Sequence, residues 1–67
     1  MKNSIKKYRK KSGFTQYQMA EKLDIAISTY SMIENGQRNV SVYRAKSISE
    51  ILNVSIDELF FKNNVHN

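Results

Sequence analysis

Sixty-seven residues with a net charge of +5 allow one domain and no more. A chain this short buries only about 60% of the surface that it exposes when unfolded, so it depends on a disulfide, a metal, a partner subunit or unusually good packing. With no cysteine and a lone His66, disulfides, thiolate metal ligation and a histidine metal site are excluded, which leaves helix packing, a partner subunit or both. No apolar run approaches the roughly 20 residues of a bilayer span, and no apolar stretch follows the basic N-terminus as in a signal peptide. The expectation is a cytoplasmic protein with no membrane partner, cofactor or small-molecule ligand. The charge is unevenly placed: Lys2, Lys6, Lys7, Arg9, Lys10 and Lys11 all precede the first acidic residue, Glu21. Such a field draws polyanions, but a lysine-rich helix is also simply well solvated. Charge alone leaves both readings open.

The chain has no proline, two glycines and no alternating strand-like run, and its apolar residues recur at helical spacing. Five helices are predicted. The first runs from about Ser4 to Ser12, capped by Asn3 or Ser4, with Ile5, Tyr8, Arg9 and Ser12 on one face and Gly13 as a left-handed stop. The second opens at a capping box of Thr15 and Gln18, buries Met19, Ala20 and Leu23, and ends at Asp24, which tolerates positive φ better than most residues. The third spans about Ile27 to Asn35, turns Tyr30 and Ile33 inward and ends at Gly36. The fourth follows Ser41 as its cap, runs to about Leu52 with Val42, Ala45, Ile48, Ile51 and Leu52 inward, and stops at Asn53. The fifth starts with a second capping box, Ser55 and Glu58, and closes the core with Ile56, Leu59 and Phe60. The domain is expected to occupy residues 1–61, with a polar tail over 62–67. Tyr8, Phe14, Tyr30 and Phe60 read as core, whereas Tyr17 and Tyr43 face outward.

The informative stretch is Gln16 to Ile33. Met19, Ala20, Leu23, Ile25, Tyr30 and Ile33 form the apolar set that two helices need to cross steeply through a short turn. Ala20 marks their close approach and Ile25 plugs the turn. Ala26, Ile27, Ser28, Thr29, Ser31 and Met32 are left facing outward, on a helix that fits a major groove about 12 Å wide.

Thr15-Gln16, Met19 to Leu23, Ile33-Glu34-Asn35-Gly36 and Ser55 to Phe60 occur in order and at spacings that resemble the lambda-repressor/Cro-like, or XRE-type, helix-turn-helix regulators. The resemblance covers Ile5 to Phe60. It implies an all-α, compact five-helix domain with helices two and three as the helix-turn-helix, a docking geometry described for this family in general terms. It further implies base reading by Ile27, Ser28, Ser31 and Met32. Phosphate contacts are implied for Gln16, Thr29, Asn35, Arg38, Val40 and Ser41, and a structural ion pair for Arg9 and Glu34. Arg9 also stands on an otherwise buried face, an independent reason to want a carboxylate beside it.

Departures from the family pattern are informative. Asp24 and Asn53 stand where glycine is frequent, and both tolerate positive φ. Ala26 replaces a Ser or Thr cap, at about 1 kcal/mol of helix stability. Ile27 and Met32 stand where Arg or Gln is common, so this reader lacks bidentate forks and favours thymine methyl groups, hence an A/T-rich operator.

Nothing in the sequence points to catalysis: it has no cysteine, no paired carboxylates in an apolar setting and no phosphate-cradling glycine loop. One recognition helix reads few base pairs, so a homodimer on a two-fold operator is expected, with Ile51, Phe60 and Phe61 as the candidate dimer face. The alternative is an antitoxin-type protein-interaction module that also binds its own promoter. A third reading is a nonspecific nucleoid or RNA binder.

Overall fold

The computed structural model describes residues 2–61; Met1 and the polar tail expected over 62–67 lie outside the described residues. The helices are α1 (Ile5–Ser12), α2 (Gln16–Leu23), α3 (Ile27–Glu34), α4 (Val42–Leu52) and α5 (Ile56–Phe60), with no strand among the described residues. The all-α, five-helix architecture expected from the sequence is what forms.

Each helix contributes one fully enclosed side chain to a shared centre: Ile5, Met19, Tyr30, Ile48 and Leu59. Ala20, Ile33, Ala45, Leu52 and Phe60 complete the buried cluster, and Tyr8, Phe14, Leu23, Ile25 and Ile51 lean against it. Burying such side chains stabilises the fold by about 1.5–3 kcal/mol each. The helix-turn-helix pair α2–α3 is the most extensively packed, with α4 beneath α2 and with α1 resting on α4 and α5.

Local chemistry sets the helix ends. Thr15 accepts the Gln18 amide proton at 3.0 Å, and the Gln18 side chain accepts from the Thr15 amide at 2.9 Å, the reciprocal cap predicted. Ser41 caps α4 through the Arg44 amide at 3.1 Å. Gly13, Asp24 and Asn53 stop their helices in the left-handed region at φ 82°, 58° and 57°. Gly36, at φ 78°, closes α3, with its own N–H on the Ile33 carbonyl and that of Gln37 on the Met32 carbonyl.

Four expectations are refined. Ser4 holds the cap position of α1 without a side-chain bond, and Asn3 supplies that bond: its Oδ1 accepts from the Ile5 amide at 3.0 Å while its Nδ2 donates to the Ile33 carbonyl at 3.0 Å, which ties the N-terminus to α3. Asn35 is the cap residue of α3 and not its last helical residue. At α5, Ser55 takes the Glu58 amide as expected, but the Glu58 carboxylate accepts the Tyr8 hydroxyl at 2.8 Å and so joins α5 to α1. Val42 does not point inward; it is 81% exposed, because the first turn of α4 projects beyond the core that begins at Ala45.

Candidate nucleic-acid interface

The turn between α2 and α3 positions the site. Asp24 reverses the chain, the Ile25 amide donates to the Ala20 carbonyl at 3.0 Å, and Ile25 leans on the core. Ala20, 3% exposed, lets the two helices approach. Ala26 holds the extended cap conformation with no side-chain cap bond, so α3 starts without the hydroxyl that usually satisfies its first amides.

Beyond that turn α3 divides into two faces. Tyr30, Ile33 and Glu34 are buried. Ile27 is 47% and Met32 38% exposed; Ser28 is exposed, and Thr29 and Ser31 are half-buried. The four expected base-reading residues therefore share the open side of one rigid helix. Burying Tyr30 and Ile33 on the far side leaves them no other orientation.

Under the open face of α3 lies a carboxylate hub. Arg9 Nε donates to Glu34 Oε2 at 2.7 Å and Arg9 Nη2 to Oε1 at 3.1 Å, a two-pronged pair. The Tyr30 hydroxyl donates to Oε2 at 2.7 Å, and Arg9 Nη1 donates to the Phe14 carbonyl at 2.9 Å. Burial pushes the Glu34 carboxyl up, but the hydrogen bonds from Arg9, Gln16 and Tyr30 outweigh it and hold the group below the ordinary carboxylate range. The same hydrogen bond to Glu34 raises Arg9 further, and burial together with Glu34 raises the Tyr30 phenol. The pair expected from the sequence is present, and it connects α1 to α3.

The residues expected at phosphates fall into two groups. Thr29, Arg38, Val40 and Ser41 converge on one polar notch between α3 and the start of α4. Asn35 is exposed at the end of α3 and lies outside that notch, and Gln16, half-buried at the start of α2, has its amide nitrogen on Glu34 Oε1 at 2.8 Å. The notch also contains Arg44, a residue that sequence reasoning passed over. A signal for it was present: Arg44 stands in the first turn of α4, which has no acidic residue. A cation there opposes the helix dipole, and an external anion relieves that conflict.

The lysines of α1 are exposed. Part of that charge has a local use, since Lys7 and Lys11 reach the Tyr8 ring at 5.2 and 5.9 Å, as Lys22 reaches Phe14 at 4.8 Å. Tyr17 and Tyr43 are exposed, as expected.

Of the residues expected at a dimer face, Phe60 is 4% exposed and belongs to the core, Ile51 is half-buried against it, and Phe61 is open at 54%. Phe60 and Phe61 nonetheless line one apolar groove with Val40, Val42, Ala45 and Ile56. The open apolar surface is thus centred on Val42 and Phe61, at the junction of α4 and α5. No helix of the described residues is long and apolar enough to cross a membrane.

Comparison with known proteins agrees with this geometry. A helix-turn-helix family model matches residues 5–59. The control protein C.MunI of Mycoplasma is 42% identical over 59 residues, which span 87% of this chain and 80% of that protein. In the solved SinR/SinI protein complex, a chain superposes with a TM-score of 0.78 at 34% identity, over 90% of this chain and 59% of that one. SinR, a transcriptional regulator of Bacillus subtilis, has also been solved in complex with DNA, where it is described as the master regulator for biofilm formation. That structure matches with a TM-score of 0.69 at 38% identity, over 78% of this chain and 84% of that one. The chain spans about half of the full SinR sequence. The family is one of DNA-binding transcriptional regulators and not of enzymes. With its α2–α3 pair, its buried Arg9–Glu34 hub and a match over nearly its whole length, this chain belongs to the helix-turn-helix family of DNA-binding transcriptional regulators.

Proposed function

We propose that the protein is a sequence-specific regulator that lays α3 into the major groove of double-stranded DNA, acting in the cytoplasm as a homodimer on a palindromic operator. One observation carries this reading. A short helix with three exposed residues, Ile27, Ser28 and Met32, is braced from behind by a buried ion pair and flanked by a polar notch with two guanidiniums. Ile27, Ser28, Ser31 and Met32 face the bases, where their apolar and hydroxyl groups suit thymine methyl groups and A/T-rich sequence. Thr29, Arg38, Val40, Ser41 and Arg44 meet one phosphate segment, and Gln16 and Asn35 meet others, in keeping with the large share of such contacts that goes to the backbone.

The homodimer is supported by the groove around Val42 and Phe61. A second copy related by a two-fold axis buries the same groove on both chains and sets two recognition helices about one turn of DNA apart. Occupancy of the operator then excludes other proteins, which is the action of a repressor. The apolar groove also favours a second reading, in which it takes a different protein, and the SinR/SinI complex gives that reading its motive.

The test is selection from genomic DNA fragments with the purified protein, followed by footprinting at two salt concentrations. The expected result is a palindromic footprint, preferred at least about 10³-fold over other DNA and weakened steeply by salt. Equal binding to all DNA sequences contradicts the proposal.

A further inference from the structure

Arg9 already neutralises Glu34, and Tyr30 completes the donors on Oε2. Yet Glu34 Oε1 takes one more, the Gln16 Nε2 group at 2.8 Å, from a residue 18 positions away. Gln16 is the first residue of α2 and half-buried, at the solvent end of a network whose carboxylate side chain is 1% exposed. A carboxylate only accepts hydrogen bonds, so it dictates which end of the amide faces it: the nitrogen. One N–H is thereby committed. A phosphate oxygen also only accepts, so the remaining N–H is the one atom group of this side chain that can meet it.

We infer that Glu34, itself held by Arg9, is a positioning residue for DNA binding: it fixes the Gln16 amide so that its second N–H is ready for a backbone phosphate. This rests on the reading that Gln16 touches a phosphate. The physical gain is preorganisation. A free glutamine side chain loses rotamer freedom when it docks, whereas a clamped one has lost it already on folding. Immobilising such a side chain is worth about two- to tenfold in affinity. Charge balance serves the same end, because Arg9 cancels the carboxylate and an approaching phosphate meets no bare anion. The ion pair therefore acts on recognition as well as on stability.

The experiment uses the intact chain and its selected operator. R9M/Y30F/E34L replaces the whole hub with apolar groups and leaves no buried hydroxyl without an acceptor; such exchanges of buried ion pairs are often neutral or stabilising. The expected result is a folded variant that binds about two- to tenfold more weakly per half-site. Its ethylation-interference signal should weaken at the same phosphate that Q16A affects, and Q16A should cost less in this background than in the parent. Parent-like affinity of the folded variant, or an equal cost of Q16A in both backgrounds, overturns the clamp while leaving the phosphate contact standing. No effect of Q16A in the parent overturns the phosphate contact itself.

Side-chain amide relaxation of the unbound parent tests the same point without any variant. The Gln16 NH₂ should be nearly as rigid as the backbone and far more ordered than that of the exposed Gln37. Equal mobility of the two overturns the inference.

Discussion

A carboxylate with a side chain only 1% exposed stays ionised only if donors replace its water, and Glu34 has three such residues: Arg9, Gln16 and Tyr30. Removing one side of the pair strands the other charge, at about 3–5 kcal/mol. Arg9→Met is therefore expected to lower the melting temperature by at least about 12 °C in a domain of this size. Calorimetry measures this, and a parent-like melting temperature would contradict the assignment. The same group sets an acid limit. Glu34 titrates below its unfolded value of about 4.3, so the folded state binds its proton less readily than the unfolded state does. The stabilisation is complete above that unfolded value and is lost as the pH falls through the lowered folded value. Melting followed from pH 7 downwards should stay level in respect of this group and then drop below about pH 4; in R9M/Y30F/E34L the part of the drop due to Glu34 should be absent.

Among the elements, α3 is the one proposed to read DNA, and it starts without a side-chain cap bond. The Ala26 side chain forms no cap bond although its backbone is already extended at φ −65° and ψ 146°. Ala26→Ser supplies the missing acceptor and is expected to add about 1 kcal/mol, or 4–8 °C in melting temperature. On the open face of the same helix, Met32→Gln places a two-pronged amide where the thioether stood. The preferred operator should then shift toward adenine at one position of each half-site. A repeat of the DNA selection reads this out, and an unchanged site would mean that α3 sits in a different register. Most of α3 was legible in the sequence, because Tyr30 and Ile33 can be buried on only one side and that choice exposes Ile27, Ser28 and Met32. Its cap deficit was legible too, since the side chain of alanine has no oxygen.

At the scale of the whole molecule, Val42 and Phe61 line one groove and stand 81% and 54% exposed. If two copies meet there, Val42→Asp and Phe61→Asp each place a charge in an apolar interface. The expected outcome is a monomer in analytical ultracentrifugation, with operator affinity lowered by two orders of magnitude or more. The isolated fold should change little, because exposed substitutions usually stay within about 0.5 kcal/mol, and far-ultraviolet circular dichroism checks that. A parent protein that sediments as a monomer on operator-length DNA would direct attention to a different protein partner for the groove. The sequence pointed to this end of the molecule through Phe61 and read Phe60 as core, but it placed Val42 in the core as well and offered Phe60 for the dimer face too. Helical spacing reports which residues share a face, not where along the helix the neighbouring helices end.

The sequence by itself determined what is local. Caps at Thr15, Ser41 and Ser55, left-handed stops at Gly13, Asp24 and Asn53, and the period of apolar residues are properties of a few consecutive side chains and their backbone. Family resemblance added the Arg9–Glu34 pair and the expected roles along α3. Tertiary structure alone decided what depends on distance across the chain: Gln16 on the Glu34 carboxylate, Tyr8 on Glu58, Asn3 on the Ile33 carbonyl, and Arg44 in the notch with Arg38. These contacts follow from the angles at which rigid helices cross, and those angles are set by the shapes of all five buried faces at once.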